Sequence, residues 1–508
     1  MRALTLSAPV STLAFSPLGR APRNSRVIVL GAGLAGLATA YELNKLGYQV
    51  DVLEGRMRPG GRCFSIRQGT VSEEEGPAQK ATFDEGLYFN AGPARIPHHH
   101  ATTLAYCREL GVTLEMFCSN SEAAYVHQSA SSTNPTDRKI RMRELHTDWR
   151  GYTNELLAKA LSQESLDRPM SAEDRDRIID WLTKEGALSA DRRYAGSSRR
   201  GYRTAPGAGN ATGVVDDPLG LEELVRSGFG ASLTSDLNLQ TPMFQPVGGM
   251  DQIAKALAAR VPHVKYGAQV QAIEQPAGHV RVRYRDVESG ATHVIEGAYC
   301  VSALPLTIMR KLEIDVAPEM KAAIGAINYA TAGKIGLQFK RRFWEEDEAI
   351  YGGITKTDQE ISQILYPNCG FLSKKGILIG YYQNGQQART TGDLAPADRL
   401  SKALAQGGKI HPQYAKEFET SFSIAWHRVP WQQGSWAQFT EAQRKSEYQR
   451  LLQPDRALYL AGDHLTYSIA WMQGAFESAR SVVSALHERA SRDATAATST
   501  AAAAGSSR

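Results

Sequence analysis

An apolar run, Val27 to Leu30, enters Gly31-x-Gly33-x-x-Gly36 and passes into a helical pattern that stops at Gly47; a second apolar stretch then ends on the acid Glu54. Strand, glycine loop, helix, strand and acid in that order constrain the chain more than any other feature: this is the pattern of a dinucleotide-binding βαβ unit. Gly31 permits the tight turn, Gly33 lets backbone approach a pyrophosphate, and Gly36 lets the helix pack closely on the strand. The helix start offers unpaired N–H groups and a positive dipole end to phosphates, and Glu54 is placed to accept from ribose hydroxyls.

The next residues separate one dinucleotide from another. Glu54 is followed by Gly-Arg56-Met-Arg-Pro-Gly60-Gly61-Arg62. A nicotinamide site has no need of a second Gly-Gly-Arg loop after the acid. A flavin site does, because the pyrophosphate and the ring beyond it need a second wall of backbone and arginine, so FAD is the expected cofactor. Arg56 and Arg62 are the expected partners of the diphosphate. Near the end of the chain, Ala457-Leu-Tyr-Leu-Ala-Gly462-Asp463 makes a second strand that stops on Gly-Asp, with a helix predicted from about Met472 to Ala490. Asp463 is expected to bond the ribityl chain, and the amides around Trp471 and Met472 to face the pyrimidine edge. Taken alone, that junction also reads as an ordinary turn with an acidic cap.

Composition excludes several other classes. A chain of 508 residues holds two or three subdomains, and a formal charge of +5, spread without blocks, gives no nucleic-acid footprint. The five cysteines stand apart with no CxxC or Cys/His spacing, so neither structural zinc nor a redox dithiol is expected. Consecutive His98, His99 and His100 point in different directions on a helix and do not chelate together. No metal and no membrane span are expected, since no apolar stretch reaches the ~18 residues a span needs.

Along the chain, residues 1–25 read as an irregular lead-in with a poor signal-peptide core, and residues 491–508 as a low-complexity, disordered tail. Residues 131–245 read as a helical insertion, with Ser171-Ala-Glu-Asp as a helix start. From Pro246 the pattern returns to α/β, with strands near 263–274, 279–284, 292–302, Lys334–Phe339 and Gly376–Tyr382.

The assembled motifs resemble the flavin-containing amine oxidases, and among them the L-amino-acid oxidases. The matching pieces are the first glycine loop, Glu54-x5-Gly60-Gly61-Arg62, Phe89-Asn-Ala-Gly-Pro-Ala-Arg95-Ile-Pro, Pro246-Val-Gly-Gly-Met-Asp, Lys334-Ile-Gly-Leu-Gln-Phe-Lys-Arg-Arg-Phe-Trp344-Glu and Leu460-Ala-Gly462-Asp463. They run through nearly all of 26–490 and are more specific for the superfamily than for the substrate. The resemblance implies an α/β fold: a Rossmann-like FAD-binding domain from discontinuous segments 26–70, 246–325 and 421–490, with an interleaved α+β substrate domain from 71–130 and 326–420. It implies non-covalent FAD, as no cysteine lies beyond Cys369, and an adenine contact from the backbone of Val270.

The resemblance also distributes the chemistry. Arg95, aimed by Gly92, Pro93 and Pro97, would hold a substrate carboxylate, for which a guanidinium supplies two parallel hydrogen bonds. Tyr381 would share that task; Tyr382 is its adjacent rival, and strand alternation lets only one of the two point inward. Lys334 would hold a water near the flavin and assist reoxidation by oxygen, although a lysine in an apolar strand also reads as an edge residue with its head in water. Trp471 is the expected pocket wall and Trp426 the expected flavin packing. The implied reaction is oxidative deamination of an L-amino acid to a 2-oxo acid, with ammonia and hydrogen peroxide released and oxygen as acceptor. An amide-forming monooxygenase, an amine or polyamine oxidase and a flavin-bound assembly protein are the alternatives. A homodimer is expected, and a cytoplasmic location is favoured over secretion.

Overall fold

The computed structural model describes residues 19–22, 25–130, 135–226 and 236–505. Strand β1 (Arg26–Leu30), helix α1 (Leu34–Leu46) and strand β2 (Gln49–Leu53) form the expected unit at the centre of a five-stranded parallel sheet. Its order is Val264–Lys265, β2, β1, Tyr299–Ser302 and Leu458–Leu460. Val29 sits between Val52 and Val301 in register. Both faces of the sheet are covered, which is why β1 is apolar without alternation from Val27 to Leu30. Val27 and Val29 pack into a core with α1 and the long C-terminal helix Met472–Gly505. Ile28 and Leu30 face the opposite core, shared with strands Ala268–Glu274 and Val280–Asp286.

The second half of the molecule is built on a seven-stranded sheet in which Ala332–Phe339 is the second strand, between the edge strand Phe418–Ala425 and Gly376–Asn384. All eight residues of Ala332–Phe339 are buried. Two boundaries differ from the sequence reading. The expected change of domain between 420 and 421 falls inside strand Phe418–Ala425, which pairs along its length with Ala332–Phe339. Arg138–Arg141, expected in the helical insertion, is the edge strand of the same sheet. The rest of the described insertion mixes the helices Met142–Ser162 and Ala172–Glu185 with a non-helical stretch over 201–220 and the start of strand Met243–Pro246, and the Ser171 side chain caps the second helix by accepting from the Asp174 amide.

Of the lead-in 1–25, only residues 19–22 and 25 are among those described, and 506–508 also lie outside them. Residues 491–505, expected to be disordered, continue the helix Met472–Gly505. Their alanine content explains the difference, since alanine is the best helix former and this stretch extends a helix already nucleated on the core.

Candidate active site

A cavity of about 910 Å³ opens at the carboxyl ends of β1, Tyr299–Ser302 and Leu458–Leu460 and runs towards the seven-stranded sheet. The glycine loop forms one end. Gly31 adopts φ +95°, and a Cβ at Gly36 would overlap the Gly31 carbonyl oxygen, so the close packing of α1 on β1 requires both glycines. A Cβ at Gly33, by contrast, would meet no atom within 4 Å and would project into open space. Gly61 approaches from the second loop, its own added Cβ standing 3.5 Å from the Gly33 Cα. This is a cradle for a group that needs bare backbone, and it fits a dinucleotide diphosphate.

The acids at this end are already engaged. Glu54 accepts from the amides of Ala32 at 2.7 Å and Arg56 at 2.9 Å, pinning the loop it was expected to serve. Arg56 is buried against Glu73 at 3.0 Å and lines the cavity. Arg62 and Asp463, expected to act separately, form a 2.5 Å ion pair, and Arg62 also donates to the Ser435 carbonyl. The Ala470 amide adds a bond to the Asp463 carboxylate at 3.0 Å. Burial would raise the Asp463 pKa, but the Arg62 charge outweighs it and holds the carboxyl below its usual range. Asp463 thus fixes the junction it sits in, a partnership the expected ribityl contact did not include. Gly462, Val270 and Met472 all line the cavity. Gln432 Oε1 and Ser435 Oγ are buried there without a partner, two polar atoms the sequence reading missed. Their signal was the run Trp431-Gln-Gln-Gly-Ser-Trp436, polar side chains and a glycine between two indoles.

At the other end Lys334 is 4 % exposed in an interior strand that is paired on both sides, so the edge-strand reading is overturned. Its ammonium donates to the Gly92 carbonyl at 2.6 Å and the Asn90 carbonyl at 3.0 Å. Burial, assisted by the charge of Arg95, lowers its pKa from 10.5 to about 7. Arg95 lines the same cavity; it makes no hydrogen bond or ion pair among the described residues, and its Nε is buried. Burial lowers its pKa too.

The structure corrects the choice of tyrosine. Tyr382 lies in register with Lys334 on the neighbouring strand and lines the cavity, with the lysine ammonium 4.7 Å above its ring. Tyr381 pairs with Ile335 and is buried in the core on the other face. Cross-strand partners share a face, so the lysine selects Tyr382. Trp426 donates from Nε1 to the Ala91 carbonyl at 3.1 Å, and Trp471 lies 5.9 Å from the Arg95 guanidinium; both line the cavity. Arg95 also borders a second cavity of about 870 Å³, between the helix Met142–Ser162 and the edge of the seven-stranded sheet. One side chain therefore lines two cavities, the first the inner and the second the outer chamber. Among the described residues no group of three metal-ligating side chains occurs, and no helix is long and apolar enough to cross a membrane.

The comparisons with known proteins agree with this geometry. A flavin-dependent L-tryptophan oxidase from Lentzea aerocolonigenes is 28 % identical over 506 residues, covering 91 % of this chain and 98 % of that protein. An L-amino-acid oxidase from Pseudechis australis is 25 % identical over 484 residues, covering 92 % and 87 %. Among solved structures, the cyclohexylamine oxidase from Brevibacterium oxydans superposes with a TM-score of 0.60 at 16 % identity, over 92 % of this chain and 99 % of that one. A putrescine oxidase triple mutant gives the same TM-score, identity and coverage. The family model for flavin containing amine oxidoreductase matches residues 34–487. The chain belongs to the flavin-containing amine oxidoreductase family, and its cofactor is FAD.

Proposed function

We propose that this oxidoreductase deaminates L-amino acids oxidatively, giving a 2-oxo acid, ammonia and hydrogen peroxide. The observation that carries the reading is Arg95: a half-buried guanidinium on the cavity wall, its Nε buried, with no hydrogen-bond or ion-pair partner among the described residues. An unpaired buried charge is costly, and a carboxylate in two parallel hydrogen bonds compensates it. Oxidation of an amine without a carboxylate would leave that cost standing.

The chain's own residues divide the work. Arg95 takes the carboxylate, and Tyr382, on the same wall, adds a hydroxyl to it. Trp471 and Trp426 confine the substrate and exclude water from the bound carboxylate. Lys334 spends two of its bonding positions on Asn90 and Gly92 and keeps one for a water in the cavity. Glu54, Arg56, Gly33, Gly61 and the Arg62–Asp463 pair would hold FAD, which would supply the acceptor for the hydride from Cα and the route of electrons to oxygen. The binding is non-covalent: Cys63 is the one cysteine among the cavity-lining residues, and its thiol, with its pKa pushed up by burial, donates to the Met250 carbonyl.

The test is to supply the twenty L-amino acids and the corresponding amines and to assay peroxide, ammonia, 2-oxo acid and amide. Peroxide with stoichiometric 2-oxo acid from amino acids alone is the expected result. An amide with carbon dioxide would assign a monooxygenase, and turnover of amines in preference to amino acids would remove the role given to Arg95. Flavin should leave the denatured protein without proteolysis.

A further inference from the structure

The histidine run has a side-chain partner in Asn238. The rings of His98, His99 and His100 meet edge-on in series, with centroids 5.2 Å and 4.7 Å apart. Nε2 of His99 and Nε2 of His100 both lie on Oδ1 of Asn238, at 3.0 Å and 3.1 Å. An amide oxygen has two lone pairs, and two imidazole N–H groups fill them. Asn238 belongs to the short turn Leu237–Leu239, whose neighbours Asp236 and Leu239 line the outer chamber. On the other side of His100 stands Trp471, edge-on at 5.0 Å and 88°. Trp471 in turn flanks the Arg95 guanidinium.

We propose that Asn238 is a positioning residue for substrate binding: by holding His100 it fixes the plane of the Trp471 indole, and with it the wall beside which Arg95 meets a carboxylate. An edge-to-face pair transmits orientation because the ring hydrogen of one partner must point into the other's face. Without Asn238, the buried His100 ring has no acceptor to define its rotation, and the indole packed on it loses its backing. Asn238 lines neither chamber, so it acts through His100 and Trp471. The inference rests on the reading that Arg95 binds the carboxylate.

The experiment titrates benzoate, a carboxylate anion, into the flavin-loaded protein and follows flavin absorbance, alongside steady-state kinetics with the best amino acid. Asn238→Ala should weaken benzoate by about 5- to 50-fold and raise KM similarly, with kcat within about twofold, as expected for a displaced binding group. Flavin content and thermal midpoint should match the parent, and Asn238→Asp, which keeps the acceptor, should restore binding. If Asn238→Ala yields no flavin-loaded protein, His100→Phe cuts the same tether while keeping a ring against Trp471, and should show the same split. Benzoate affinity within about twofold of the parent in the tether-cutting variant, or equal weakening in Asn238→Asp, overturns the proposal. Arg95→Ala separates the two readings. If it weakens benzoate and cutting the tether does not, the positioning role alone falls. If it leaves benzoate unaffected, the carboxylate reading fails and this proposal falls with it.

Discussion

The ammonium of Lys334 and the carbonyl of Gly92 are joined at 2.6 Å, tying the buried strand Ala332–Phe339 to the segment that ends at Arg95. The lysine therefore anchors the loop that presents the arginine, in addition to any part it takes in oxygen chemistry. Its folded-state pKa, about 7, lies below the usual 10.5. Between these values the unfolded chain binds the extra proton, so stability rises with pH across the window and is lost as pH falls through about 7. Lys334→Met removes this contribution. The thermal midpoint of the variant relative to the parent should fall as pH rises from 7 to 10, and parallel curves would contradict the assignment. In stopped-flow absorbance the same variant should slow flavin reoxidation more than reduction.

Removing Arg95 takes one partner from a desolvated charge pair, an effect of ~2–5 kcal/mol. Arg95→Ala should lower kcat/KM for amino acids by roughly 30-fold to several thousand-fold. Arg95→Lys should recover little, because an ammonium cannot make two parallel bonds. Turnover of the matching carboxylate-free amine should not fall in proportion. Near-parental amino-acid oxidation by Arg95→Ala would return the amine-oxidase reading.

The two adjacent tyrosines offer a matched pair of variants. A hydrogen bond to a charged group is worth about 1.5–3 kcal/mol, so Tyr382→Phe should raise KM roughly 10- to 100-fold. Tyr381→Phe should leave KM alone, because its ring is buried in the core on the face away from the cavity. Steady-state kinetics distinguish the two, and a KM effect from Tyr381→Phe would reverse the correction.

Gly33 and Gly36 should fail in different ways. Gly36→Ala sets a methyl group on the Gly31 carbonyl, and should abolish folding or lower the thermal midpoint sharply. Gly33→Ala meets no protein atom, so the chain should fold with parental circular dichroism. Its methyl would occupy the space left for the diphosphate and should weaken FAD roughly tenfold or more, the effect of ~1.4 kcal/mol. Parental FAD affinity in Gly33→Ala would move the diphosphate elsewhere.

What could be read in advance was what is local. The turn, the close approach and the helix start of the first loop are written within a few residues, and so are the apolar runs of the parallel strands. The Arg62–Asp463 pair was beyond reach, because nothing in either segment states that the chain brings them together across 401 positions. Choosing between Tyr381 and Tyr382 needed the phase of one strand against another, which is a property of the register with Lys334. Gln432 and Ser435 sit in a segment with no periodicity, where the polar run between Trp431 and Trp436 hints at a site but does not say which atoms face the cavity. The helix beyond Ala490 was missed because low complexity was weighed above alanine's own preference for helix.

The parallel sheet takes its last strand, Leu458–Leu460, from close to the end of the chain and lays it beside Tyr299–Ser302. A nascent chain on the ribosome can therefore form the first glycine loop early and still possess no Asp463 to meet Arg62. A flavin site that uses the Arg62–Asp463 pair must wait until translation has passed Asp463, and a product that stops short of it should not hold the flavin however well its first glycine loop has folded. In such an architecture the yellow colour of the protein is a report on the integrity of its carboxyl-terminal half.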